Sequence, residues 1–186
     1  MLKPNLPIAT ARLDLRLFTE DDLDALHAYS SLPEVAQFLM HGPRTREETA
    51  ASLERRMATT AFEKEGDGLV LAVVLRETGE LLGDVLLEWV SEQHRTGEFG
   101  FVFNPAFQGR GYASEAAVEM LRLGFEELKL HRIIGRCEAR NTASAKLMER
   151  LGLRREAHFV ENIWLKDQWN SEVVFAMRAE EWAARS

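Results

Sequence analysis

The chain is short of cysteine, of metal-ligand patterns and of long apolar runs. Cys137 is its one cysteine, which excludes an internal disulfide and a thiol-rich metal site. Five histidines are present, but none pair at a metal-ligand spacing, and we expect no bound metal. No stretch approaches the roughly 20 apolar residues that span a bilayer, and the first residues lack the apolar run of a signal peptide. We therefore expect a soluble, cytoplasmic protein with no membrane partner.

Positive charge is also scarce. Lysine and arginine number 23 against 30 aspartates and glutamates, for a formal net charge of −7. This balance argues against a nucleic-acid partner, which needs clustered basic residues, and suits a cationic partner such as an amine. With 46% hydrophobic and 28% charged residues, the 186-residue chain is typical of a folded globular protein. We expect one domain over residues 1–186.

Hydrophobic periodicity predicts an α/β protein with a mostly antiparallel sheet. Thr45 and Glu48 have the spacing of a capping box at a helix start, and Gly152 is a helix stop. Four helices are predicted, at 19–30, 45–62, 112–128 and 142–151. Seven strands are predicted, at 11–18, 69–76, 81–90, 98–104, 131–138, 155–165 and 169–177.

The most informative segment lies between the strand that ends before Pro105 and the helix that starts near 112. It reads Gln108, Gly109, Arg110, Gly111, Tyr112, Ala113. A glycine-containing turn at a helix N-terminus exposes unpaired N–H groups and the positive end of the helix dipole, which together can hold a phosphate. The two glycines allow close approach of the backbone, and the arginine can supply charge.

Several interpretations compete for this turn. A nucleotide P-loop needs a Gly-Lys pair followed by Ser or Thr, and no such lysine is present. A dinucleotide-binding turn needs a third glycine where Ser114 stands, near the start of a βαβ unit. A plain strand-to-helix turn without a ligand is the remaining alternative.

A further interpretation comes from a resemblance to a known family. The pattern Gln-x-x-Gly-x-Ala at 108–113 resembles the acyl-CoA pyrophosphate loop of the GNAT N-acetyltransferases. Thr-Ala-Arg-Leu-Asp-Leu-Arg at 10–16 and Gly-Phe-Val-Phe-Asn-Pro at 100–105 are similar to strands of its ribosomal-protein (RimJ/RimL-like) branch. Asn141 and Ser144, followed by Leu-Gly-Leu at 151–153, resemble its next helix. The resemblance spans about residues 10–178.

The resemblance implies a fold and a cofactor site. It implies a GNAT fold in which two central strands splay apart and hold the pantetheine arm of acetyl-CoA, the expected co-substrate. The backbone of Phe101, Val102 and Phe103 would bond the pantetheine amides, and one N–H would polarise the thioester carbonyl. Asn141 would bond the same arm, or serve only as a helix N-cap. The loop residues 108–113 would hold the pyrophosphate.

The resemblance also implies catalytic residues. The tyrosine acid of many members falls on Met148, which cannot donate a proton, and Ser144, one turn earlier, is the candidate acid. Glu98 at the start of the central strand is the candidate base, directly or through water. The branch's other base position falls near Ile163, close to Glu161 and Asn162. The histidines at 41 and 94 are further alternatives.

The acceptor is a primary amine, and the branch implies a protein or peptide N-terminal amine. Amino acids, polyamines and aminoglycosides stay open, as does a homodimer. The acceptor pocket is expected from segment 37–44, strand 81–90 and the final hairpin, with Trp89, Trp164 and Trp169 as lining candidates and an acidic rim. Two rival functions are a CoA-binding protein without turnover and a nucleotide-dependent enzyme.

Overall fold

A single mixed sheet of eight strands runs through the computed structural model, which describes residues 1–185. The strands are β1 (Ile8–Ala9), β2 (Leu13–Arg16), β3 (Gly68–Leu75), β4 (Leu81–Ser91), β5 (Thr96–Phe103), β6 (Arg132–Glu138), β7 (Arg154–Leu165) and β8 (Gln168–Arg178). Their spatial order is β1-β2-β3-β4-β5-β6-β8-β7. Every neighbouring pair is antiparallel except β5 and β6, which run parallel.

Six α-helices accompany the sheet. They are α1 (Leu23–Ser30), α2 (Pro33–Ala36), α3 (Arg46–Ala58), α4 (Tyr112–Arg122), α5 (Thr142–Arg150) and α6 (Ala179–Ala183). A π-helical turn at Leu123–Glu127 follows α4 directly, and 3-10 turns lie at Glu20–Asp22 and Pro105–Phe107. Among residues 1–185, no helix combines the length and the apolar character needed to cross a bilayer.

The predicted α/β class and mostly antiparallel sheet are confirmed, but the element counts were too low. The eighth strand, β1, has only two residues, and α2 and α6 have four and five. Elements this short are shorter than the window that a periodicity of 2 or 3.6 requires. The predicted helix 45–62 ends earlier, at Ala58, because Thr59 is already extended.

The predicted start and stop signals behave as their chemistry requires. The hydroxyl of Thr45 accepts a hydrogen bond from the N–H of Glu48, whose carboxylate accepts from the N–H of Thr45. Gly152 takes a φ of +81° after α5, a conformation that favours glycine. The loop between β7 and β8 contains two residues, Lys166 and Asp167, both with positive φ.

Helices pack on both faces of the sheet. Helices α4 and α5 cover one face over the larger hydrophobic core, to which Leu69, Leu71 and Val73 of β3 contribute. The alternate residues of β3, such as Ala72 and Val74, point to the other face and pack under α1 and α3. The second helical layer stops at β5, so the same face of β5, β6 and β8 carries partly exposed charged side chains.

A polar tether joins the start of β2 to α4. Thr10 and Arg12 both donate to the carboxylate of Glu115, the hydroxyl at 2.6 Å and the guanidinium Nε at 2.8 Å. Arg12 also donates to the carbonyl of Arg110 at 2.9 Å and lies over the ring of Tyr112 at 4.5 Å. The Thr-x-Arg pattern of the first strand therefore positions the turn that precedes α4.

This tether changes the acidity of Glu115. Partial burial raises the pKa of Glu115, but hydrogen bonds from Thr10 and Arg12 and the charge of Arg12 outweigh it, so the pKa lies below its ordinary 4.5. A lowered pKa in the folded state contributes stability above pH 4.5, and the contribution is lost as the pH falls through the folded-state pKa.

We predict that the free energy of unfolding of the wild type falls more steeply below pH 4.5 than that of Glu115→Gln. The amide cannot lose this contribution because it carries no charge at any pH. Urea denaturation between about pH 6 and pH 3 measures both proteins. Parallel pH dependences would contradict the role given to Glu115.

Candidate active site

The two parallel strands part after a short contact. Within residues 1–185, β5 pairs with β6 at three positions only, from Thr96 opposite Arg132 to Glu98 opposite Ile134. Beyond Glu98 the strands diverge, while the other edge of β5 stays paired with β4 as far as Phe103. The diverging edge of β5 is therefore available to hydrogen-bond an extended ligand, as an added strand would.

A cavity of about 780 Å³ occupies this gap. It reaches from β5 to the start of α4 on one side and to α5 on the other. Ten of the predicted site residues line it: Phe101, Val102, Phe103, Gln108, Gly109, Gly111, Tyr112, Ala113, Asn141 and Ser144. The predicted cofactor residues are thus brought together, except for Arg110.

The turn before α4 has the geometry of an anion site. Asn104 caps the 3-10 turn by accepting from the N–H of Ala106 at 3.0 Å. Gly109 and Gly111 then take φ values of +76° and +82°, which turn the chain into α4. The side chain of Arg110 is not part of the cavity wall, while its carbonyl is held by Arg12. The N–H groups at the start of α4 border the cavity and can bind a phosphate.

The facing helix, α5, contributes both predicted and unforeseen residues. The side-chain oxygen of Asn141 accepts from the N–H of Ser144 at 3.1 Å, so the asparagine caps α5. Lys146 and Arg150 also line the cavity, and neither was predicted from the sequence. Their spacing of four residues places them on one face of the helix, but that spacing alone does not distinguish them from cations on a solvated helix. With them, the α5 side of the cavity wall carries two cations; the acidic rim was predicted for the acceptor pocket instead.

The two predicted proton-transfer residues lie in different surroundings. Ser144 lines the cavity, whereas Met148 is 1% exposed and packs in the core. Glu98 lies just before the strands part, and its carboxylate accepts from Arg136 at 2.5 Å. Both hydrogen bonds from Arg136 go to the same oxygen of this carboxylate. Glu98 is not among the residues that line the cavity.

One further carboxylate was missed by the sequence analysis. Within residues 1–185, Glu34 on α2 is the one acidic residue that lines the cavity. A four-residue helix without a clear period carried no signal for it. Of the alternative bases, His41 borders a second cavity and contacts the carbonyl of Gly42 at 2.7 Å, while Glu161 is exposed in an irregular part of β7.

The expected acceptor elements are only partly assembled. Phe38 and Leu39, from the expected segment 37–44, line the cavity. Lys166 in the β7–β8 loop donates to the carbonyls of Ala36 at 2.5 Å and Leu39 at 2.8 Å, which ties the hairpin to the end of α2. Strand 81–90 does not contribute to the wall of the described cavity.

The tryptophans expected at the acceptor pocket lie elsewhere. Trp164 and Trp169 pack edge to face at 5.4 Å on the hairpin and are 58% and 56% exposed. Trp89 packs against the larger core. In the described part of the chain none of the three borders the cavity.

Known proteins match the sequence of the region that contains this cavity. The family model described as an acetyltransferase (GNAT) domain matches residues 12–154. The uncharacterized N-acetyltransferase YnaD of Bacillus subtilis is 37% identical over 175 residues, covering 94% of this chain and 98% of its own. Both the cavity and its surrounding elements, from β2 to the end of α5, fall within the matched region.

Solved structures share the fold over nearly the whole chain. A GNAT-family acetyltransferase from Bacillus anthracis superposes with a TM-score of 0.84 at 36% identity, covering 94% of this chain and 99% of its own. A spermidine N-acetyltransferase from Vibrio cholerae, solved with CoA and spermine, gives a TM-score of 0.79 at 21% identity, covering 94% and 99%. The chain belongs to the GNAT family of acetyltransferases, enzymes that use acetyl-CoA.

Proposed function

We propose that the chain binds acetyl-CoA in the gap between β5 and β6 and transfers the acetyl group to a primary amine. The observation that carries this proposal is that the gap and the glycine-containing start of α4 border one cavity. Acetyl-CoA supplies an acetyl group already activated as a thioester. The protein therefore has to bind, orient and manage protons rather than activate the donor.

The residues present fit the phosphate groups of this co-substrate. The N–H groups between Gly109 and Ala113 provide donors at the positive end of the α4 dipole. Lys146 and Arg150 add two cations on the facing helix. Arg110 is exposed beside the turn and is proposed to reach an outer phosphate. These groups supply charge complementarity at one end of the cavity.

The pantetheine arm fits the diverging edge of β5. The backbone of Phe101, Val102 and Phe103 borders the cavity where β6 no longer pairs, so its amides can bond the arm. We assign one of these N–H groups to the thioester carbonyl, where a donor stabilises developing negative charge. Asn141, at the N-terminus of α5, is proposed as a further hydrogen-bond partner of the pantetheine arm.

Proton transfer is assigned to residues on either side of the gap. Ser144 lines the cavity on α5 and is proposed to donate a proton to the departing thiolate. Glu98 is retained as the proposed base, acting directly or through water, although Arg136 already holds its carboxylate. Glu34 is the competing base because it lines the cavity.

The first acceptor to test is the α-amine of a peptide or protein N-terminus. This choice of acceptor is part of the proposal. It is based on the similarity of segments 10–16 and 100–105 to the ribosomal-protein branch of the family. The spermidine enzyme with the same fold makes small amines the alternative acceptors. The Glu98–Arg136 ion pair and the buried Met148 favour a second function, CoA binding without turnover.

An acetylation assay tests the function directly. The purified protein is incubated with acetyl-CoA and, in separate reactions, with peptides of varied N-termini, free amino acids, spermidine and an aminoglycoside, and CoA release and product mass are measured. We expect acetylated product with at least one primary amine. If acetyl-CoA binds but none of the reactions gives an acetylated product, the result would support the non-catalytic alternative instead.

We predict that Gly111→Ala weakens acetyl-CoA binding about tenfold or more, because φ at this position is +82° and a side chain strains the turn in this conformation. Gly79→Ala is the matched control, since Gly79 has a φ of +76° in a turn remote from the cavity. Calorimetric titration of both variants measures the affinity. Equal affinities in the two folded variants would refute the phosphate assignment.

We predict that Ser144→Ala lowers kcat by about tenfold to a hundredfold, in the lower range for a general acid because a thiolate leaves readily. The dissociation constant of acetyl-CoA should change little, since the hydroxyl acts on the leaving group. Steady-state kinetics combined with a binding titration separates the two effects. An unchanged kcat would remove Ser144 from the mechanism.

A further inference from the structure

A second cavity, of about 250 Å³, adjoins the first. Val35, Leu39 and Val102 line both, so the two cavities meet along β5 and the segment that follows α2. Val102 points to the sheet face under α1 and α3, opposite the face that packs on α4. The second cavity therefore lies on the side from which an acceptor can approach the gap.

Two arginines border this second cavity. Arg44 precedes α3 and Arg56 lies on its last turn, and both donate to the hydroxyl of Ser52. Arg56 also faces Asp84 at 3.4 Å. Tyr29 donates to the same carboxylate at 2.7 Å. Within the described residues, Asp84 contacts Arg56 and no ion pair joins it to Arg44, so the two guanidinium groups leave an excess of positive charge at the cavity.

The other nearby acids do not balance this excess. Asp22 is held by Arg16 through two hydrogen bonds of 2.7 and 2.8 Å. Glu48 is exposed and engaged in the capping box at the start of α3. Burial lowers the pKa of Arg44, and the charges of Arg56 and Arg55 lower it further. The charges of Asp84 and Glu48 have the opposite effect on this pKa. The two guanidinium groups therefore repel each other at a partly buried site.

One donor at this site is left without a partner. Within residues 1–185, the Nε of Arg56 is the one buried side-chain nitrogen or oxygen atom that makes no hydrogen bond. A charged donor that is buried and unpaired is costly, so the guanidinium of Arg56 is incompletely satisfied within the protein. A carboxylate suits an arginine pair because it accepts several hydrogen bonds and neutralises the charge.

We infer that the second cavity binds the carboxylate of the acceptor, so that the substrates of this enzyme are amines that carry a carboxylate group. The inference rests on the proposed function, because the amine must still reach the gap beside Val102. The carboxylate belongs either to a free amino acid or to an acidic N-terminal residue of a peptide. The same charge disfavours polyamines, whose cations would meet Arg44 and Arg56.

Matched pairs of amines test the inference. We compare alanine with alaninamide, and a peptide beginning with Asp with the same peptide beginning with Asn, with spermidine as the polycation. The first pair tests a free amino acid and the second an acidic peptide terminus. In at least one pair, kcat/KM should be about tenfold or more higher for the carboxylate member. A wild type that prefers the neutral member of both pairs, or spermidine, would overturn the inference.

Arg44→Gln should remove this preference, because it withdraws one guanidinium while the pair between Arg56 and Asp84 stays intact. Arg44→Lys should restore part of it. Arg155→Gln is the matched control, since Arg155 is an exposed arginine of β7 that borders neither cavity. A preference that survives in Arg44→Gln, with all variants folded, would exclude the arginine pair.

Failure of the proposed function gives a separate result. If no amine is acetylated, thermal unfolding with saturating acetyl-CoA is repeated with N-acetylalanine, N-acetylalaninamide and the acetylated Asp peptide as probes. Stabilisation by a carboxylate probe that is lost in Arg44→Gln supports the carboxylate site without turnover. No difference between the carboxylate and amide probes would overturn the inference even where acetyl-CoA binds.

Discussion

The short contact between β5 and β6 is the constraint on which the rest of the structure depends. Three residue pairs join these strands before they diverge. An added Cβ on Gly135 would lie 2.6 Å from both the sulfur of Met148 and the ring of Phe99. The two side chains therefore pack closely on the backbone of β6 next to the point where the strands part, and leave no room for a side chain at position 135. Met148 has a structural role here.

The helices on the two faces of the sheet present different charged groups to the gap. Helices α4 and α5 carry the glycine turn and the cations that suit phosphates, and the tether from Thr10 and Arg12 holds that turn in place. The α1–α3 layer on the opposite face carries the arginines that suit an anionic acceptor. In the proposed function, binding of the two substrates would therefore depend on different elements, joined by the same strand, β5.

Much of the cofactor side could be predicted from the sequence because its chemistry is local. The glycine turn, Asn141 and Ser144 stand within short motifs, and local motifs do not depend on distant parts of the chain. Lys146 and Arg150 were missed because two cations at a spacing of four residues are common on solvated helices. Elements such as α2 were missed because four residues carry no measurable period.

The acceptor side could not be predicted for a different reason. The second cavity joins Arg44, Arg56 and Val102, which are distant in sequence and meet only after α3 packs on the sheet. The partner of Glu98 is equally remote, since Arg136 lies 38 positions away on β6. Trp164 and Trp169 were predicted to line the acceptor pocket but lie on the exposed face of a hairpin. Their sequence pattern is the same for an exposed hairpin face as for a pocket wall. Contacts between residues distant in sequence decided the positions of Glu98 and of the two arginines.

The measurement that tests the account most directly is backbone hydrogen exchange with and without acetyl-CoA, read by mass spectrometry. The account predicts slower exchange in residues 99–113 and 141–144, because the diverging edge of β5, the turn before α4 and the start of α5 would all gain hydrogen bonds. Exchange in the β7–β8 loop should change less. Protection confined to other segments, or equal protection by NAD, would contradict the assignment of the gap to acetyl-CoA.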